Sequence, residues 1–324
     1  MPGFKIVFTD YYYPHNEIET AILKRLGQVE IIDCTKIEPG GILEEDRIIP
    51  YLNDADAVIV QFAEISRKVV ESLTQCRIIA RYAIGVDNID VQAARQKGIV
   101  VANVPDYCIE EVSDTAIAHM LNCVRKVSYA NDLLHRNQWS YAKIKPIRRF
   151  ADLTVGLLAF GNIARRVAEK LKSFRVRTLA FDPYFAGQEY GWVEFVALKE
   201  LLSQADIVSI HAPLNNETHH LMDAEKFSWL KKGAMMVNSS RGGLIDEPAL
   251  RAALESDKLS MIGLDVLDCQ DTEYYQSALL QYPDRVFITP HMGWYSEEAI
   301  VDLQTKTALN VYEMLKNGQP LYAV

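Results

Sequence analysis

Two segments of the sequence carry polar side chains whose types could bind an anion and exchange a proton. In residues 237–246, Arg241 leaves a buried apolar run into a pair of glycines, and in residues 289–294, His291 follows a Thr-Pro pair. An arginine guanidinium binds a carboxylate or a carbonyl oxygen through two parallel hydrogen bonds. A histidine exchanges protons near neutral pH. Together the two residue types favour the reduction of a 2-keto acid.

A turn of the kind that binds a dinucleotide lies near the middle of the chain. Residues 154–164 run from an apolar strand through Ala159, Gly161 and Ala164 into a helical stretch. In a G-x-G-x-x-G turn, glycines bring backbone N–H groups and a helix N-terminus against a pyrophosphate. Ala159 departs from that pattern. Asp182 ends the next strand about 20 residues after Gly161, where a carboxylate accepts the ribose hydroxyls and repels a 2′-phosphate, so the expected cofactor is NAD.

Around these segments, short apolar runs alternate with amphipathic stretches, which predicts α/β structure with parallel sheets. The predicted strands are residues 5–9, 29–32, 57–60, 78–81, 99–102, 154–158, 176–181, 207–210, 234–238, 261–264 and 286–288. The predicted helical regions are residues 17–26, 67–73, 91–96, 108–139, 165–174 and 296–316. Parallel sheets bind ligands at the carboxyl ends of their strands, and Arg241 and His291 both follow a predicted strand.

Composition excludes several classes of protein. The 324 residues are about twice the length of one domain and carry a net charge of −9, which disfavours nucleic acid and anionic membrane surfaces as partners. Five cysteines without a CxxC pair favour a reducing cytoplasm, and the longest uncharged run is too short to span a bilayer. We expect no metal site, because the adjacent pair His219 and His220 should point apart and lacks further ligands.

In ordered stretches along nearly its whole length, the chain resembles the D-isomer-specific 2-hydroxyacid dehydrogenase family. These stretches are residues 85–90, 98–105, 111–119, 156–164, 211–214, 217–218, 238–246, 263–266 and 289–291. Residues 13–14, 104–108 and 294–297 look most like the branch that contains the C-terminal binding proteins and their bacterial relatives.

The resemblance implies two doubly wound parallel-sheet domains with a cleft between them. A flavodoxin-like substrate domain would contain residues 1–102 and 295–324, and a Rossmann NAD-binding domain would contain residues 103–294. The resemblance also implies a homodimer, for which the helical region 108–139 offers an apolar face.

Roles for individual residues also come from the resemblance. It implies that Arg241 binds the substrate carboxylate and keto oxygen, that His291 is the general acid/base, and that Asp265 contacts the nicotinamide amide. The backbone amides of Ala83, Ile84 and Gly85 would hold the carboxylate. The other cofactor contacts that it implies are Phe160, Gly161, Asn162, Ile163, Asp182, His211, Pro213, Thr218, Ser239, Ser240, Arg241, His291 and Gly293.

One position departs from the family. A glutamate usually stands five residues after the aspartate of the Leu-Asp-Val segment, where it pairs with the catalytic histidine and raises its pKa; here the residue is Gln270. Glutamine can orient the ring but brings no charge. We therefore expect His291 to titrate near ~6.5 and keto-acid reduction to fall as pH rises through that region. Asp271, after a one-residue shift, and Asp268 are alternative partners for the histidine.

The expected function is that of an NAD-dependent oxidoreductase that interconverts a small D-2-hydroxy acid and its 2-keto acid. The alternative is a binding protein that senses NAD(H), like the C-terminal binding proteins, with weak or no dehydrogenase activity. The absent glutamate strengthens this alternative. NADH oxidation tested with a panel of 2-keto acids separates the two.

Overall fold

The computed structural model describes residues 3–185, 187, 190–269 and 271–324, without the side chains of Asp271 and Thr272. Contacts divide the chain into two units. One contains Met1–Tyr107 and Ser296–Val324, and the other contains Cys108–Tyr295.

A parallel sheet of five strands forms the centre of the first unit. Up to residue 107 its elements are β1 (Phe4–Phe8), α1 (Glu17–Leu23), β2 (Val29–Asp33), α2 (Glu45–Leu52), β3 (Ala57–Val60), α3 (Arg67–Ser72), β4 (Ile78–Arg81), α4 (Val91–Gln96) and β5 (Val100–Ala102). The strand order is β2-β1-β3-β4-β5, and every pairing is parallel. All four side chains of β3 are buried, as in sheets that helices cover on both faces.

The second unit contains a parallel sheet of seven strands. Its elements are α5 (Ile109–Arg125), α6 (Val127–His135), β6 (Thr154–Leu158), α7 (Asn162–Phe174), β7 (Arg177–Phe181), β8 (Val193–Phe195), α8 (Leu198–Gln204), β9 (Ile207–Ile210), α9 (Ala224–Trp229), β10 (Ala234–Asn238), α10 (Glu247–Glu255), β11 (Leu259–Leu264) and β12 (Val286–Ile288). The strand order is β12-β11-β10-β9-β6-β7-β8. One apolar core joins the sheet to α5 and α7, and a second joins it to α8, α9 and α10.

The last helix, α11 (Glu297–Asn317), belongs to the first unit. Ser296 caps its first turn through its hydroxyl oxygen, and Gly318 ends it with a φ of 84°. Near its middle, Gln304 donates from its side-chain amide to the buried carboxylate of Glu19 on α1, at 3.0 and 3.1 Å. This polar contact ties the end of the chain to its first helix.

The unit boundaries differ slightly from those that the sequence suggested. Residues 103–107 belong to the first unit rather than the second, because the backbone amide of Asn103 donates to Tyr322 and that of Val104 donates to Ala83. Tyr295 belongs to the second unit. The two crossings of the chain therefore lie after residues 107 and 295.

Every predicted strand is present to within two residues, but the predicted helical regions do not include α2, α8, α9 and α10. Two further features differ from expectation. The helical region predicted over residues 108–139 is broken at Lys126, whose left-handed φ of 53° stops α5, and helix α6 ends at His135. Strand β8 was missed, because it has only three residues and two of them are exposed.

The helices and the cysteines bear on the environment of the chain. Across the part of the chain that the structure describes, no helix is both long and apolar enough to cross a membrane. Four of the five cysteines are buried.

Candidate functional site

The turn from β6 into α7 has the geometry of a phosphate-binding loop. Ala159 has a φ of 68°, the left-handed conformation that favours glycine, and its amide donates to Phe181 at 2.8 Å. Helix α7 then begins at Asn162, and its N-cap residue Gly161 has no side chain with which to bond the first N–H groups. The first N–H groups of a helix have no acceptor inside the helix and attract anions. The departure at Ala159 has therefore not altered the turn.

Gly161, at the start of this helix, borders open space. A Cβ atom added at Gly161 would meet no atom within 4 Å, and the φ of −73° is one that any residue adopts. Gly156 differs, because a Cβ atom there would lie 2.5 Å from Leu201 Cδ2. Gly156 thus serves the packing of the sheet, whereas the space at Gly161 fits a pyrophosphate in contact with the backbone.

Asp182 lies just after β7, beside the same turn. One carboxylate oxygen accepts the backbone amide of Phe160 at 2.8 Å, and the other accepts that of Tyr184 at 2.8 Å. The carboxylate therefore holds the turn between β6 and α7 and also occupies the position expected to bind ribose. The sequence pattern showed only the second of these roles.

His211 directly follows β9, the strand next to β6 in the sheet. Its Nε2 lies 2.9 Å from Ser209 Oγ, and burial lowers the pKa of the ring to about 4. The ring is therefore neutral at physiological pH. Beyond it, Thr218 donates its hydroxyl to the carbonyl oxygen of Pro213 at 2.5 Å, which closes a turn that contains two of the expected cofactor contacts.

The segment after β10 is organised by the fully buried Asn238. Its side-chain oxygen accepts the Ser240 amide at 3.0 Å, and its side-chain nitrogen donates to the Arg241 carbonyl at 2.8 Å. Ser240 Oγ donates to Ile210. Ser239 Oγ is buried and has no hydrogen-bond partner among the described residues. A buried hydroxyl of this kind fits a polar atom of a bound dinucleotide.

Asp265, just after β11, anchors the loop that carries His291. Its Oδ1 accepts the Thr289 hydroxyl at 2.5 Å and the Met292 amide at 3.1 Å, and its Oδ2 accepts the Gly293 amide at 2.8 Å. The Asp265 side chain is 2% exposed. His291 itself has a left-handed φ of 49°, which costs a residue with a Cβ atom energy and requires such anchoring.

A second histidine lies behind this loop. His119 of α5 places Nε2 at 3.1 Å from Thr289 Oγ1, and its ring stacks on Phe287. Because the single Thr289 proton goes to Asp265, we assign the Nε2 proton to His119. Burial lowers the pKa of this ring, so it is neutral. The apolar helical neighbours of His119 in the sequence are typical of core packing and give no sign of this contact.

In the first unit, the loop after β4 presents backbone amides. The carbonyl of Ala83 accepts the Val104 amide at 2.9 Å, that of Ile84 accepts Asn103 Nδ2 at 2.6 Å, and that of Gly85 accepts Arg81 Nη1 at 2.7 Å. None of the three amides donates a hydrogen bond within the described residues. The loop is therefore held by its carbonyls while its N–H groups remain available to an anion.

Two further predictions concern the partner of His291. Gln270 lies outside the described residues, as does the side chain of Asp271. Asp268 lies 3.8 Å from His220 Nε2.

The expectation that His219 and His220 point apart is wrong, because their rings stack at 3.9 Å on a backbone that is left-handed at His220.

Residues 117–293 match the family model of the D-isomer specific 2-hydroxyacid dehydrogenase NAD binding domain. The chain belongs to this family. The match and the two parallel sheets confirm the predicted family, the α/β fold class, the NAD cofactor and the oxidoreductase class.

Similar proteins agree with this assignment. A hydroxypyruvate reductase of Thermotoga maritima is 35% identical over 259 residues, which are 79% of this chain and 84% of that protein. A D-3-phosphoglycerate dehydrogenase of Methanocaldococcus jannaschii is 34% identical over 316 residues; they cover 96% of this chain but only 57% of that protein. A glyoxylate reductase structure from Paecilomyes thermophila shares the fold, with a TM-score of 0.89, 24% identity and coverage of 100% and 99%. No comparison favours the regulatory alternative.

Proposed function

We propose that the protein is an NAD-dependent dehydrogenase that interconverts a small D-2-hydroxy acid and its 2-keto acid. The observation that carries this proposal is the arrangement around Asp265. Strand β11 lies between β10 and β12, so Arg241 after β10 and His291 after β12 flank Asp265 at the carboxyl edge of one sheet. An anion-binding group and a proton-exchanging group thus share the edge where such sheets bind their ligands.

The cofactor NAD, when bound, supplies or accepts the hydride. The amides at the start of α7 would hold its pyrophosphate, over Gly161. Asp182 would accept the ribose hydroxyls, and the buried Ser239 hydroxyl would pair with a polar atom of the dinucleotide. We also propose that the cofactor contacts five further residues, which are His211, Pro213, Thr218, Ser240 and Gly293.

Arg241 binds the substrate carboxylate and polarises the keto oxygen, so negative charge that develops on that oxygen is stabilised. The amides of Ala83, Ile84 and Gly85 hold the carboxylate. The loop does not have to move for its amides to bind the carboxylate, because its carbonyl oxygens are already bonded to Val104, Asn103 and Arg81.

His291 exchanges the proton. During reduction its ring donates a proton to the substrate oxygen as the carbonyl carbon receives the hydride, and during oxidation it accepts that proton. The anchors on Asp265 fix the backbone on both sides of His291, which orients the ring before substrate arrives. Gln270 is proposed as the residue that orients the ring from its other nitrogen.

We also propose a homodimer in the cytoplasm. Around α6, the second unit exposes large apolar side chains: Val127 by 62%, Leu134 by 47%, Trp139 by 91% and Tyr141 by 74%. A second copy of the chain would cover this surface. Light scattering of the protein and of a Trp139→Asp variant tests it, and a monomeric parent protein would contradict it.

NADH oxidation with a panel of 2-keto acids tests the enzymatic proposal. We expect turnover of at least one acid, and a loss of about 10²-fold or more in kcat/KM for Arg241→Ala. The matched control is Arg251→Ala, an exposed arginine of α10. Tight NADH binding with no turnover of any acid would overturn the proposal and favour the regulatory alternative.

A further inference from the structure

An exposed aromatic pair stands at the carboxyl edge of the first sheet. Tyr12 follows β1 and is 46% exposed, and Phe62 follows β3 and is 57% exposed. Their rings stack at a centroid distance of 5.9 Å. Strands β1 and β3 are neighbours, which brings the two loops together.

The loop that carries Phe62 is firmly held although its ring faces solvent. The fully buried Asp10 accepts the amide of Phe62 at 2.5 Å with one oxygen, and the amides of Gln61 and Ala63 at 3.2 Å with the other. Three consecutive amides are thus fixed by one carboxylate. The exposed ring is displayed by an ordered backbone.

The loop that carries Tyr12 is held by its two neighbours. Tyr11 is buried and donates its hydroxyl to Asp33 at 2.8 Å. Tyr13 is buried and accepts from Gln61 Nε2 at 3.3 Å. Two tyrosines therefore serve packing, while Tyr12 between them faces outward.

This pair lies on one particular side of the amide loop of residues 83–85. Strand β3 separates β1 from β4, and adjacent strands are about 4.8 Å apart, so the Phe62 loop is the immediate neighbour of the amide loop. On the opposite side, toward β5, Asn103 and Val104 close the loop through hydrogen bonds. Within the first unit, a substituent of a carboxylate on the amides therefore extends toward Phe62 and Tyr12 rather than toward β5.

Charge in these two loops disfavours a phosphorylated substituent. Residues 9–15 and 61–64 contain no lysine or arginine, and they contain the carboxylates of Asp10 and Glu64. Arg81, beside these loops, already donates to the carbonyl oxygens of Gln61 and Gly85 and lies 3.5 Å from Asp87. A phosphate group needs cationic partners and would have to compete with these contacts.

We propose, building on the dehydrogenase function above, that Tyr12 and Phe62 bind the substrate's side chain and that the preferred substrate is a 2-keto acid with an aromatic or branched apolar side chain. Such a side chain removes exposed aromatic surface from water and stacks on the pair. A substrate without a side chain gains neither contribution.

The test compares kcat/KM for NADH-dependent reduction of phenylpyruvate, 4-methyl-2-oxopentanoate, pyruvate, glyoxylate and 3-phosphohydroxypyruvate. We expect phenylpyruvate or 4-methyl-2-oxopentanoate to exceed glyoxylate by about 10-fold or more. Phe62→Ala and Tyr12→Ala should each lower kcat/KM for the preferred acid by about 10–100-fold and for glyoxylate by less than about 3-fold. Leu321→Ala, at a 48% exposed apolar residue of the same unit, should change neither value.

The outcomes separate this inference from the function on which it rests. Turnover with a preference for glyoxylate or 3-phosphohydroxypyruvate overturns the substrate class and leaves the dehydrogenase function intact. An equal loss for all acids in Phe62→Ala also overturns it, because the ring would then act on the loop rather than on the side chain. Absence of turnover with every acid overturns both.

Discussion

Thr289 donates its hydroxyl proton to Asp265 Oδ1 across 2.5 Å. The same hydroxyl oxygen accepts from the buried His119, so one side chain connects helix α5, the end of β11 and the loop that carries His291. The general acid/base that we propose is therefore positioned by a buried polar chain rather than by its own contacts alone. Buried polar chains of this kind restrict a loop to one geometry, although His119 Nδ1 has no hydrogen-bond partner among the described residues.

Replacing Thr289 with valine should damage catalysis more than binding. The change leaves Asp265 without one hydrogen bond and should lower the free energy of unfolding by about 2 kcal/mol. We expect kcat to fall about 10-fold, since 1.4 kcal/mol of lost positioning is a factor of 10, with KM for NADH nearly unchanged. Steady-state kinetics and urea denaturation measure both. Thr289→Ser keeps the hydroxyl and should restore kcat; a serine variant as slow as the valine variant contradicts this role.

Gly161→Ala should weaken NADH binding without unfolding the protein. No atom lies within 4 Å of the added methyl group, so the free energy of unfolding should change by less than about 1 kcal/mol. The methyl group takes the space that we assign to the pyrophosphate, so Kd for NADH should rise about 10-fold or more. Fluorescence titration gives this value. Gly191→Ala, which also has open space around it, is the control, and equal NADH affinity in both variants would count against the assigned site.

Asp182→Asn should relax the choice of cofactor. The asparagine keeps an oxygen for the Phe160 amide but loses the charge that repels a 2′-phosphate. We expect the ratio of kcat/KM for NADPH to that for NADH to rise about 10-fold. An unchanged ratio would mean that Asp182 serves only to hold the turn.

The pH dependence of stability should contain a contribution from His211. Its pKa of about 4 in the folded protein lies below the ~6.5 of an unfolded histidine, so the unfolded state binds the additional proton as pH falls. This contribution is present above pH 6.5 and is progressively lost toward pH 4, by about 2 kcal/mol at pH 5. Urea denaturation of His211→Gln at pH 8 and pH 5 should show a smaller loss than the parent. The exposed His135→Gln should show the parent's loss, and equal losses in all three proteins would refute the prediction.

Gln270→Glu should extend keto-acid reduction to higher pH. With glutamine, we expect reduction to fall as pH rises through about 6.5, because His291 must be protonated to donate. A glutamate would favour the imidazolium and move that limb upward. A pH–rate profile of kcat/KM for the parent, Gln270→Glu and Asp271→Asn measures the limb. A parent profile flat to pH 8 contradicts the prediction, and a limb displaced only by Asp271→Asn assigns the partner to Asp271 instead.

The sequence by itself determined every strand except β8, the parallel α/β class, the nucleotide turn and the family. These features depend on local patterns, such as apolar runs of four or five residues and the spacing from Gly161 to Asp182. Such patterns lie within short stretches of sequence and do not depend on contacts between distant residues. It also placed Arg241 and His291 at strand ends, since each follows its strand directly in the chain.

Only the tertiary structure decided which distant groups meet. His119 reads as a core residue of α5, and its hydrogen bond to Thr289 depends on the packing of that helix against the sheet. The pairing of Tyr12 with Phe62 likewise depends on the strand order, because β1 and β3 are neighbours although β2 lies between them in the chain. Strand order depends on how all the elements of a domain pack together and not on any local pattern. For that reason the contact of His119 with Thr289 and the pairing of Tyr12 with Phe62 could be identified only from the tertiary structure.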